Sequence, residues 1–537
     1  MPSMSVSARL GGLPVPVEVV LARRFDHVII GGGAAGCVLA RRLSEDRHVQ
    51  VLLVEAGDRV ADPAVDAPQA WPGLAGGAFD WAYVSTPQAG LLDRTVPQPR
   101  GKGLGGSTLI NALGFQRGGR EAYEAWAEAS GDPGWGPEGL WPWFRRLETC
   151  SAGADAHRGG DGPLHVQMIR DVADQHPFSR AFHAAGVAAG HPANPDWNGA
   201  RPDGAIWTQL TLRDGRRDNA ASAWLEPVLD RPNLAVLTGA AATGLVVSQG
   251  RAGAVRLLLD GQLHEVRADR ELLLCAGAID TPRLLLLSGI GDADTLSRLG
   301  IAPVHHLPGV GRNLQDHPLV PGLLFRSLQP VPLSAYNHGE TMVVTQSRQG
   351  RGFADLQLMA LSVPFLAPGL GTPPADSVSI VPALLAPFSR GSLALASADP
   401  RVPARIDPGY LADPRDVEAL VDAIGITREI MRQPELRDWV AGELVPGPAM
   451  TDRAALAHHV RRAASPFYHP VSTCRMGQGN DPEAVVDAQC RIIGLAGVRI
   501  VDASIFPSIP HAMTMAATLA VAERAADLIR TPALPLS

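Results

Sequence analysis

Gly31-Gly32-Gly33-Ala34-Ala35-Gly36 is a glycine-rich turn between two apolar segments, Phe25 to Ile30 before it and Cys37 to Leu43 after it. This order predicts a buried strand, a tight turn and a helix, and the glycines allow both the turn and a close backbone approach to a diphosphate. Free N–H groups at the N-terminus of the helix favour the negative charge of that diphosphate. The stretch therefore predicts a Rossmann-type nucleotide-binding unit.

Glu55 supports this interpretation, because it follows the apolar run Val49 to Val54 and stands nineteen residues after Gly36. An acidic residue at this distance accepts hydrogen bonds from both ribose hydroxyls, and its charge repels a 2′-phosphate. The predicted ligand is an adenine dinucleotide, FAD or NAD rather than NADP. In this unit, cofactor contacts are assigned to Gly31, Gly33, Ala34, Ala35, Gly36, Glu55 and Ala56.

The chain has 537 residues, more than the size at which a single hydrophobic core stops growing. Hydrophobic residues make up 46% and charged residues 19%, and the net charge of −7 gives no reason to expect a nucleic-acid partner. No apolar run reaches the roughly 18 residues that a transmembrane helix needs. The five cysteines are scattered without CxxC spacing, so neither disulfides nor a metal site is indicated, and a cytoplasmic location is expected.

Apolar runs far apart in the chain predict a discontinuous nucleotide-binding domain. Buried strands are predicted at Leu234 to Leu237, Leu272 to Cys275 and Val498 to Val501, and helices from Pro282 to Leu287 and from Thr514 to Ile529. The predicted domains are an N-terminal extension over 1–24, a nucleotide-binding domain over 25–160, 230–320 and 465–537, and a substrate-binding domain over 161–229 and 321–464.

Arg100-Gly101-Lys102-Gly103-Leu104-Gly105-Gly106-Ser107-Thr108 is a second glycine-rich segment. Four glycines with two basic side chains are unusual for an ordinary surface loop, and close backbone approach to a flat cofactor explains them better. Predicted cofactor contacts in this segment are Arg100, Gly103, Gly105, Gly106 and Ser107.

The segment Arg100 to Gly118 resembles the first signature of the glucose-methanol-choline (GMC) family of flavoproteins, RGKxLGGSSxxNxxxYxRG. Gly277 to Gly291 looks like the second signature of that family. Three further matches follow in family order: Leu307 to Pro318, Ser389-Arg390-Gly391 and Tyr468 to Gly477. Several unrelated motifs in sequence, spread over nearly the whole chain, make coincidence a poor explanation.

The resemblance implies an α/β fold, in which a discontinuous Rossmann-type FAD-binding domain is joined to an α+β substrate-binding domain built on an antiparallel sheet. Members that attach FAD covalently carry a histidine before the asparagine of the first signature. Here Ile110 precedes Asn111, so a non-covalent FAD is implied. Further contacts are implied for Asn111 at the flavin ring, Met513 beside the cofactor, Ala242 at the adenine, and Asp502 with Ala503 at the ribityl chain and diphosphate. The Asp502 side chain equally fits a helix cap.

The family oxidises alcohols, which implies that a base takes the hydroxyl proton while hydride passes from carbon to flavin N5. His469 stands where the family places this base, and imidazole suits the task because its ordinary pKa is near ~6.5. The family's second catalytic residue, a His or Asn that binds the substrate oxygen, falls at Met513, whose thioether is a weak acceptor and no donor. His511 is a candidate substitute, and an equal alternative is that it merely packs near the cofactor.

A pyridoxine 4-oxidase-like branch of the family also lacks His or Asn at that place, and this chain resembles it in Asp214 to Arg217 and Ala223 to Leu225. Phe467 replaces a histidine that this branch carries. With Met513 and Met515, Phe467 predicts an apolar pocket and favours an aromatic or aliphatic primary alcohol over a charged one such as choline. Open alternatives are a pyridoxine 4-oxidase-like activity and a flavin-containing lyase or decarboxylase. The expected electron acceptor is O2 or a quinone-type carrier.

Overall fold

Residues 6–531 are described by a computed structural model, in which two large sheets are covered by helices. The strands are β1 (Ser7–Leu10), β2 (Leu13–Val15), β3 (Phe25–Ile30), β4 (Val51–Val54), β5 (Tyr83–Val84), β6 (Pro97–Gln98), β7 (Glu148–Cys150), β8 (Leu164–Met168), β9 (Ala193–Asn194), β10 (Gly204–Trp207), β11 (Gln209–Arg213), β12 (Arg216–Arg217), β13 (Leu234–Thr238), β14 (Ala241–Ser248), β15 (Arg251–Leu259), β16 (Gln262–Leu274), β17 (Ile290–Gly291), β18 (His305–His306), β19 (Pro318–Leu319), β20 (Leu324–Ser327), β21 (Thr341–Thr345), β22 (Leu356–Leu361), β23 (Ser377–Leu384), β24 (Ser392–Ala394), β25 (Arg405–Asp407), β26 (Val440–Val445), β27 (Ser465–Pro466) and β28 (Val498–Ile500). The α-helices are α1 (Val17–Leu21), α2 (Ala34–Leu43), α3 (Pro63–Asp66), α4 (Arg120–Ser130), α5 (Pro137–Leu147), α6 (Pro177–Ala188), α7 (Gly277–Leu287), α8 (Ala293–Arg298), α9 (Pro414–Met431), α10 (Arg453–Ala463) and α11 (Thr514–Arg530).

The first sheet has a parallel centre, in which β16, β3, β4 and β13 are neighbours and β28 also pairs with β16. The antiparallel strands β14 and β15 extend it beside β16. The strand–turn–helix–strand unit β3, α2 and β4 matches the predicted Rossmann-type unit. The apolar runs predicted as strands become β13, the end of β16, and β28, so the discontinuous α/β domain is confirmed.

The described part of the predicted N-terminal extension contains a β-hairpin that the sequence did not indicate. Its strand β1 pairs antiparallel with β13, and β2 pairs with β1, which adds a hairpin to the edge of the first sheet. The prolines Pro14 and Pro16 interrupt the only apolar run there, and this hid the hairpin. An edge strand tolerates proline because its outward N–H has no partner to lose. Residues 1–5 and 532–537 lie outside the described residues.

The second sheet is mainly antiparallel, in the order β26-β20-β23-β22-β21-β10-β9, with β19 and β27 attached beside β23. Helices α6 and α9 pack on one of its faces. A separate four-stranded sheet, β12-β11-β8-β7, joins residues on both sides of the predicted boundary at residue 160. The predicted antiparallel substrate sheet is therefore present, and the domain bounds remain predictions.

The last helix, α11, returns to the first sheet and packs against α2 and α5. Arg42 of α2 and Glu523 of α11 form a buried two-armed ion pair, with N–O distances of 2.7 and 2.9 Å. The indole N–H of the buried Trp224 donates to the same carboxylate at 2.9 Å. Removing one partner would leave a buried charge unpaired, at a cost of about 3–5 kcal/mol. No helix among residues 6–531 is both long and apolar enough to cross a bilayer.

Candidate active site

The first glycine turn is closed so tightly that only glycine fits at its ends. Gly31 follows β3 with a φ of +107°, and a Cβ there would lie 2.5 Å from the carbonyl oxygen of Cys275. At Gly36 a Cβ would lie 1.9 Å from the carbonyl oxygen of Gly31. The first N–H groups of α2, beginning at Ala34 and Ala35, have no intrahelical partners. The turn thus offers the backbone donors and the dipole of an anion site.

Glu55 connects the two glycine-rich segments. Its Oε2 accepts the N–H of Gly32 at 2.7 Å, and its Oε1 accepts those of Gly57 at 2.8 Å and Gly103 at 3.2 Å. Burial raises the pKa of the Glu55 carboxyl, and the three hydrogen bonds oppose that rise. The carboxylate therefore fixes the end of β4 beside both turns. Contacts of Glu55 and Ala56 with a cofactor remain predictions.

The two glycine turns meet backbone to backbone. The N–H of Gly105 donates to the carbonyl of Gly32 at 2.8 Å. Gly106 has a φ of +54°, and a Cβ on it would lie 2.7 Å from the Cα of Gly33. Ser107 Oγ accepts a backbone N–H of its own segment at 3.2 Å. Any side chain at this meeting point would separate the turns. Contacts of these glycines with a diphosphate or a flat ring system remain predictions.

Arg100 belongs to the second turn by sequence, but its side chain contacts the backbone next to His469. Its buried guanidinium donates to the carbonyl oxygen of Tyr468, and its own N–H donates to Asp80 Oδ1 at 2.8 Å. Burial lowers the pKa of Arg100. Tyr468 has a φ of +66°, a strained conformation for a large side chain. Arg100 therefore holds the peptide that precedes the predicted base.

Asn111 is held rigidly by protein contacts. Its Oδ1 accepts hydrogen bonds from the Arg217 guanidinium at 2.6 Å and from the Leu113 N–H at 3.2 Å, and its amide nitrogen lies 3.2 Å from the Met515 sulfur. Arg217 is buried, and burial lowers its pKa to about 10. The side chain of Asn111 thus has a fixed orientation beside the C-terminal segment.

Asp502 is a helix cap, as one of its two interpretations predicted. Its Oδ1 accepts the N–H of Ser504 at 2.8 Å, and its Oδ2 accepts the Gly277 N–H at 2.8 Å and the Thr281 hydroxyl at 2.6 Å. Burial raises the pKa of Asp502. Its side-chain oxygens are thus engaged within the protein, and cofactor contacts of Asp502, of Ala503 and of Ala242 on β14 remain predictions.

His469 and His317 form a hydrogen-bonded pair that defines the protonation of both rings. Their Nδ1 atoms are 3.0 Å apart, and His317 Nε2 lies 2.9 Å from the carbonyl oxygen of Leu385. A carbonyl oxygen only accepts, so the neutral His317 carries its proton on Nε2 and accepts at Nδ1. His469 therefore donates from Nδ1. Its Nε2 is left unprotonated and able to accept a proton.

Both imidazoles are neutral near physiological pH. Burial lowers the pKa of His317 to about 3, with the nearby His511 as a smaller cause. Burial also lowers the pKa of His469 well below 6.5, and His317 and Arg100 lower it further to a smaller extent. A lowered pKa keeps His469 in its basic form over the whole neutral range.

A buried network fixes the backbone of His469. The His469 N–H donates to Asp316 Oδ1 at 2.7 Å, and the Tyr410 hydroxyl donates to Asp316 Oδ2. Gln98 donates in turn to the Tyr410 oxygen at 2.9 Å. Burial raises the pKa of Asp316 to about 6, against the lowering effects of these hydrogen bonds and of Arg100. The predicted base, His469, thus has its ring held by His317 and its main chain held by Asp316.

His511 and Met513 are both partly exposed, and the residue between them, Ala512, is buried. The segment is a bend rather than a strand, so this alternation alone does not fix the relative directions of the two side chains. The His511 ring stacks on Phe353 with a centroid distance of 4.1 Å, and its buried Nδ1 has no hydrogen-bond partner among the described residues. Burial lowers the pKa of His511 to about 3, and Arg351 contributes to the shift.

The second sheet presents an apolar wall to these residues. Met513 packs against one cluster of buried side chains and Phe467 against another, and Met359 on β22 belongs to both. The Phe467 ring lies 4.5 Å from the His469 ring between centroids. The wall consists of Trp197, Ile206, Leu319, Met342, Val344, Met359, Leu361, Val381 and Ala383. The surroundings of His469 are therefore apolar on the side that faces the second sheet.

Sequence reasoning singled out His469, His511 and Met513 and missed the residues that hold them. Asp316 and His317 lie in the matched segment Leu307 to Pro318. That match could have drawn attention to them, but the motif alone assigns them no role. Tyr410 and Phe353 gave no signal, because neither lies in a matched motif. Their roles follow from contacts between segments far apart in the chain.

Comparison with known proteins agrees with this geometry. The family models of the N-terminal and C-terminal parts of GMC oxidoreductases match residues 25–319 and 387–522. The chain is 37% identical to mitochondrial choline dehydrogenase of Mus musculus over 94% of this chain and 89% of that protein. It is 37% identical to alcohol dehydrogenase (acceptor) of Pseudomonas putida over 94% of this chain and 95% of that protein. The crystal structure of pyridoxine 4-oxidase from Mesorbium loti aligns with a TM-score of 0.91 and 37% identity, covering 94% of this chain and 99% of that one.

The fold and the site define a flavoprotein oxidoreductase with a Rossmann-type cofactor domain. The chain belongs to the GMC oxidoreductase family. It is accordingly an FAD-dependent enzyme that acts on CH–OH donors, and the family resemblance drawn from the motifs is confirmed.

Proposed function

We propose that this enzyme oxidises a primary alcohol with an aromatic or aliphatic body to the aldehyde. The observation that carries the proposal is the apolar wall running from Met513 to Phe467 beside His469. The acidic residues that precede the wall strands, Glu340 and Asp355, are buried and hydrogen-bonded to serine side chains. A quaternary ammonium group would find no free carboxylate in that wall, so desolvating it would be costly.

His469 is proposed as the base that takes the hydroxyl proton. Its Nε2 is unprotonated because its Nδ1–H is committed to His317, and the lowered pKa keeps it so. FAD, when bound, supplies the hydride-accepting chemistry of the family. The apolar wall and Phe467 exclude water from the reacting carbon, and Arg100 and Asp316 hold the backbone of the base in place.

FAD is proposed to bind without a covalent link. Ile110 occupies the place at which covalently flavinylated members carry a histidine, and its alkyl side chain has no nucleophilic atom. The proposed contacts come from the two glycine turns and from the residues named above at the ends of β3, β4 and β28.

A panel of alcohols tests the proposed function. We expect benzyl alcohol and a medium-chain alkanol to reduce the flavin at least about tenfold more efficiently than choline, because an ammonium group gains no charged partner in the wall. The measurement is loss of flavin absorption on anaerobic mixing, repeated in air to show whether O2 reoxidises the flavin. Faster reduction by choline than by every apolar alcohol would contradict the proposal.

His511 is proposed to bind the substrate oxygen in place of the family's His or Asn, since Met513 cannot donate a proton. We expect His511→Ala to lower kcat/KM for the preferred alcohol by about 10- to 100-fold, the loss of one buried hydrogen bond of about 1–3 kcal/mol. His511→Asn should retain part of the activity. Met513→Leu serves as the control, because it preserves volume and changes no hydrogen bond. Wild-type activity in His511→Ala would assign this ring to packing alone.

A lyase or decarboxylase remains the second candidate, and the thioether at Met513 is the feature that favours it. If no alcohol reduces the flavin, product analysis with cyanohydrins and with illuminated fatty acids distinguishes these activities. A pyridoxine 4-oxidase-like activity has support from the 37% identity to that solved structure, and Phe467 argues against pyridoxine itself. Pyridoxine therefore belongs in the alcohol panel.

A further inference from the structure

The hairpin loop between β21 and β22, residues 346–355, overhangs the proposed substrate site. Its Phe353 ring stacks nearly parallel on the His511 ring, with an interplanar angle of 13° and 4.1 Å between centroids. Both rings are partly exposed. The loop therefore covers the outer side of the residue proposed to bind the substrate oxygen.

Arg351 continues this stack outward. Its guanidinium carbon lies 5.3 Å from the centroid of Phe353 and 4.7 Å from that of Phe388. The side chain is exposed, and its only described hydrogen bond is a long one, 3.4 Å, to the carbonyl of Ala386. Among residues 6–531, no carboxylate oxygen lies within 4.0 Å of this guanidinium. Two aromatic rings thus hold Arg351 in place without neutralising its charge.

The other charged groups around Phe388 do not cancel Arg351. Arg415 stacks on the same ring and is paired with Asp413, with N–O distances of 2.7 and 2.9 Å. Asp416 is buried, accepts hydrogen bonds from the N–H groups of Phe388 and Ser389 and from the Ser389 hydroxyl, and lies close enough to Arg390 to act on it electrostatically. The guanidinium of Arg390 donates to backbone carbonyl oxygens, and the negative charge of Asp416 offsets its positive charge. Arg351 therefore remains, among residues 6–531, an unpaired positive charge at the loop end of the site.

This charge is close enough to affect the pocket. The guanidinium carbon of Arg351 and the ring centre of His511 are separated by at most the two stacking distances in series, which is about one Debye length at 0.1 M salt (~10 Å). The lowering effect of Arg351 on the pKa of His511 is consistent with such proximity. A charged group of a substrate at this end of the pocket would therefore interact with Arg351 over a distance at which salt screens the interaction only in part.

We propose that Arg351 selects substrates by the charge they carry at the end remote from the reacting hydroxyl. It favours an alcohol whose apolar body ends in a carboxylate and disfavours one that ends in a quaternary ammonium. This inference rests on the proposed function, because it assumes that an alcohol lies between His469 and the loop. Arg351 is thus a specificity-determining residue, outside the proton-transfer machinery.

The test compares three alcohols of similar shape on the FAD-loaded enzyme: benzyl alcohol, 4-(hydroxymethyl)benzoate and 4-(trimethylammoniomethyl)benzyl alcohol. In Arg351→Gln, we expect the ratio of kcat/KM for the benzoate to that for benzyl alcohol to fall about five- to tenfold, through KM rather than kcat. The ratio of kcat/KM for the ammonium alcohol to that for benzyl alcohol should rise in the same variant. Half-molar salt should lower the benzoate preference of the wild type and leave that of Arg351→Gln nearly unchanged.

Arg348→Gln is the matched control, because Arg348 lies in the same loop but points to Asp422 on α9, 3.5 Å away. It should keep the wild-type ratios. Equal ratios in the wild type and Arg351→Gln, with benzyl alcohol still oxidised, would overturn this inference and leave the proposed function intact. If none of the three alcohols reduces the flavin, the proposed function fails and the inference fails with it.

Discussion

Replacing His469 with alanine is expected to slow flavin reduction by the preferred alcohol by about 10²- to 10⁴-fold, which is the usual contribution of a general base. The reason is structural: Nε2 of His469 is the unprotonated imidazole nitrogen of the His317 pair, and no other histidine pair of this kind occurs among residues 6–531. Stopped-flow mixing without oxygen measures the effect directly. In the wild type the reduction rate should be constant at neutral pH and fall only in acid, since the pKa of His469 lies well below 6.5.

His458 provides the control, because it is an exposed histidine on α10 and its alanine variant should keep the wild-type rate. His317 should behave as a positioning residue. His317→Asn keeps an acceptor near the place of Nδ1 and should retain most of the rate, whereas His317→Leu loses the acceptor and should slow reduction by about tenfold or more. A full reduction rate in His469→Ala, with bound flavin retained, would exclude this histidine as the base.

Gly106→Ala is expected to abolish most FAD binding. A methyl group there would lie 2.7 Å from the Cα of Gly33, and the backbone φ of +54° is already unfavourable for a residue with a side chain. The two glycine turns would have to separate, so flavin content should fall by more than about tenfold. The absorption spectrum of the purified variant measures flavin content, and circular dichroism reports whether the chain is folded.

Gly253→Ala is the matched control, because a Cβ on Gly253 meets no atom within 4 Å. This variant should purify with wild-type flavin content. Acid precipitation of the wild type should release all of the FAD into the supernatant, as expected for a non-covalent cofactor. A folded Gly106→Ala protein with a full complement of flavin would show that the turns do not form the cofactor cradle.

Much of the nucleotide-binding fold could be predicted from local patterns. The run Phe25 to Ile30 became β3 with the same bounds, and the helix predicted from Thr514 to Ile529 ends one residue later, at Arg530. The helix predicted to begin at Pro282 begins at Gly277 instead. Proline favours the first turn of a helix, but here the carboxylate of Asp502 accepts the Gly277 N–H from 225 residues further along the chain. A cap supplied from so far away leaves no local signal.

The candidate site, too, could be predicted where a local motif defines it and not where contacts between remote segments define it. Motif order was enough to select His469, because the matched segment surrounds it. Its partner His317 could not be assigned, since the two rings meet only where β19 pairs with β27. The stacking of Phe353 on His511 likewise depends on the hairpin of β21 and β22, which has no motif in the sequence. Contacts between remote strands, rather than residue types, determine these roles.

The buried ion pair between Arg42 and Glu523 has a consequence for the order in which the enzyme can be assembled. A ribosome produces the Gly31–Gly36 turn early, and the helix α11 that packs behind it appears almost five hundred residues later. Until then Arg42 and Trp224 lack the carboxylate that satisfies both of them. The nascent N-terminal unit should therefore remain incompletely packed throughout elongation, and flavin loading should be a post-translational event.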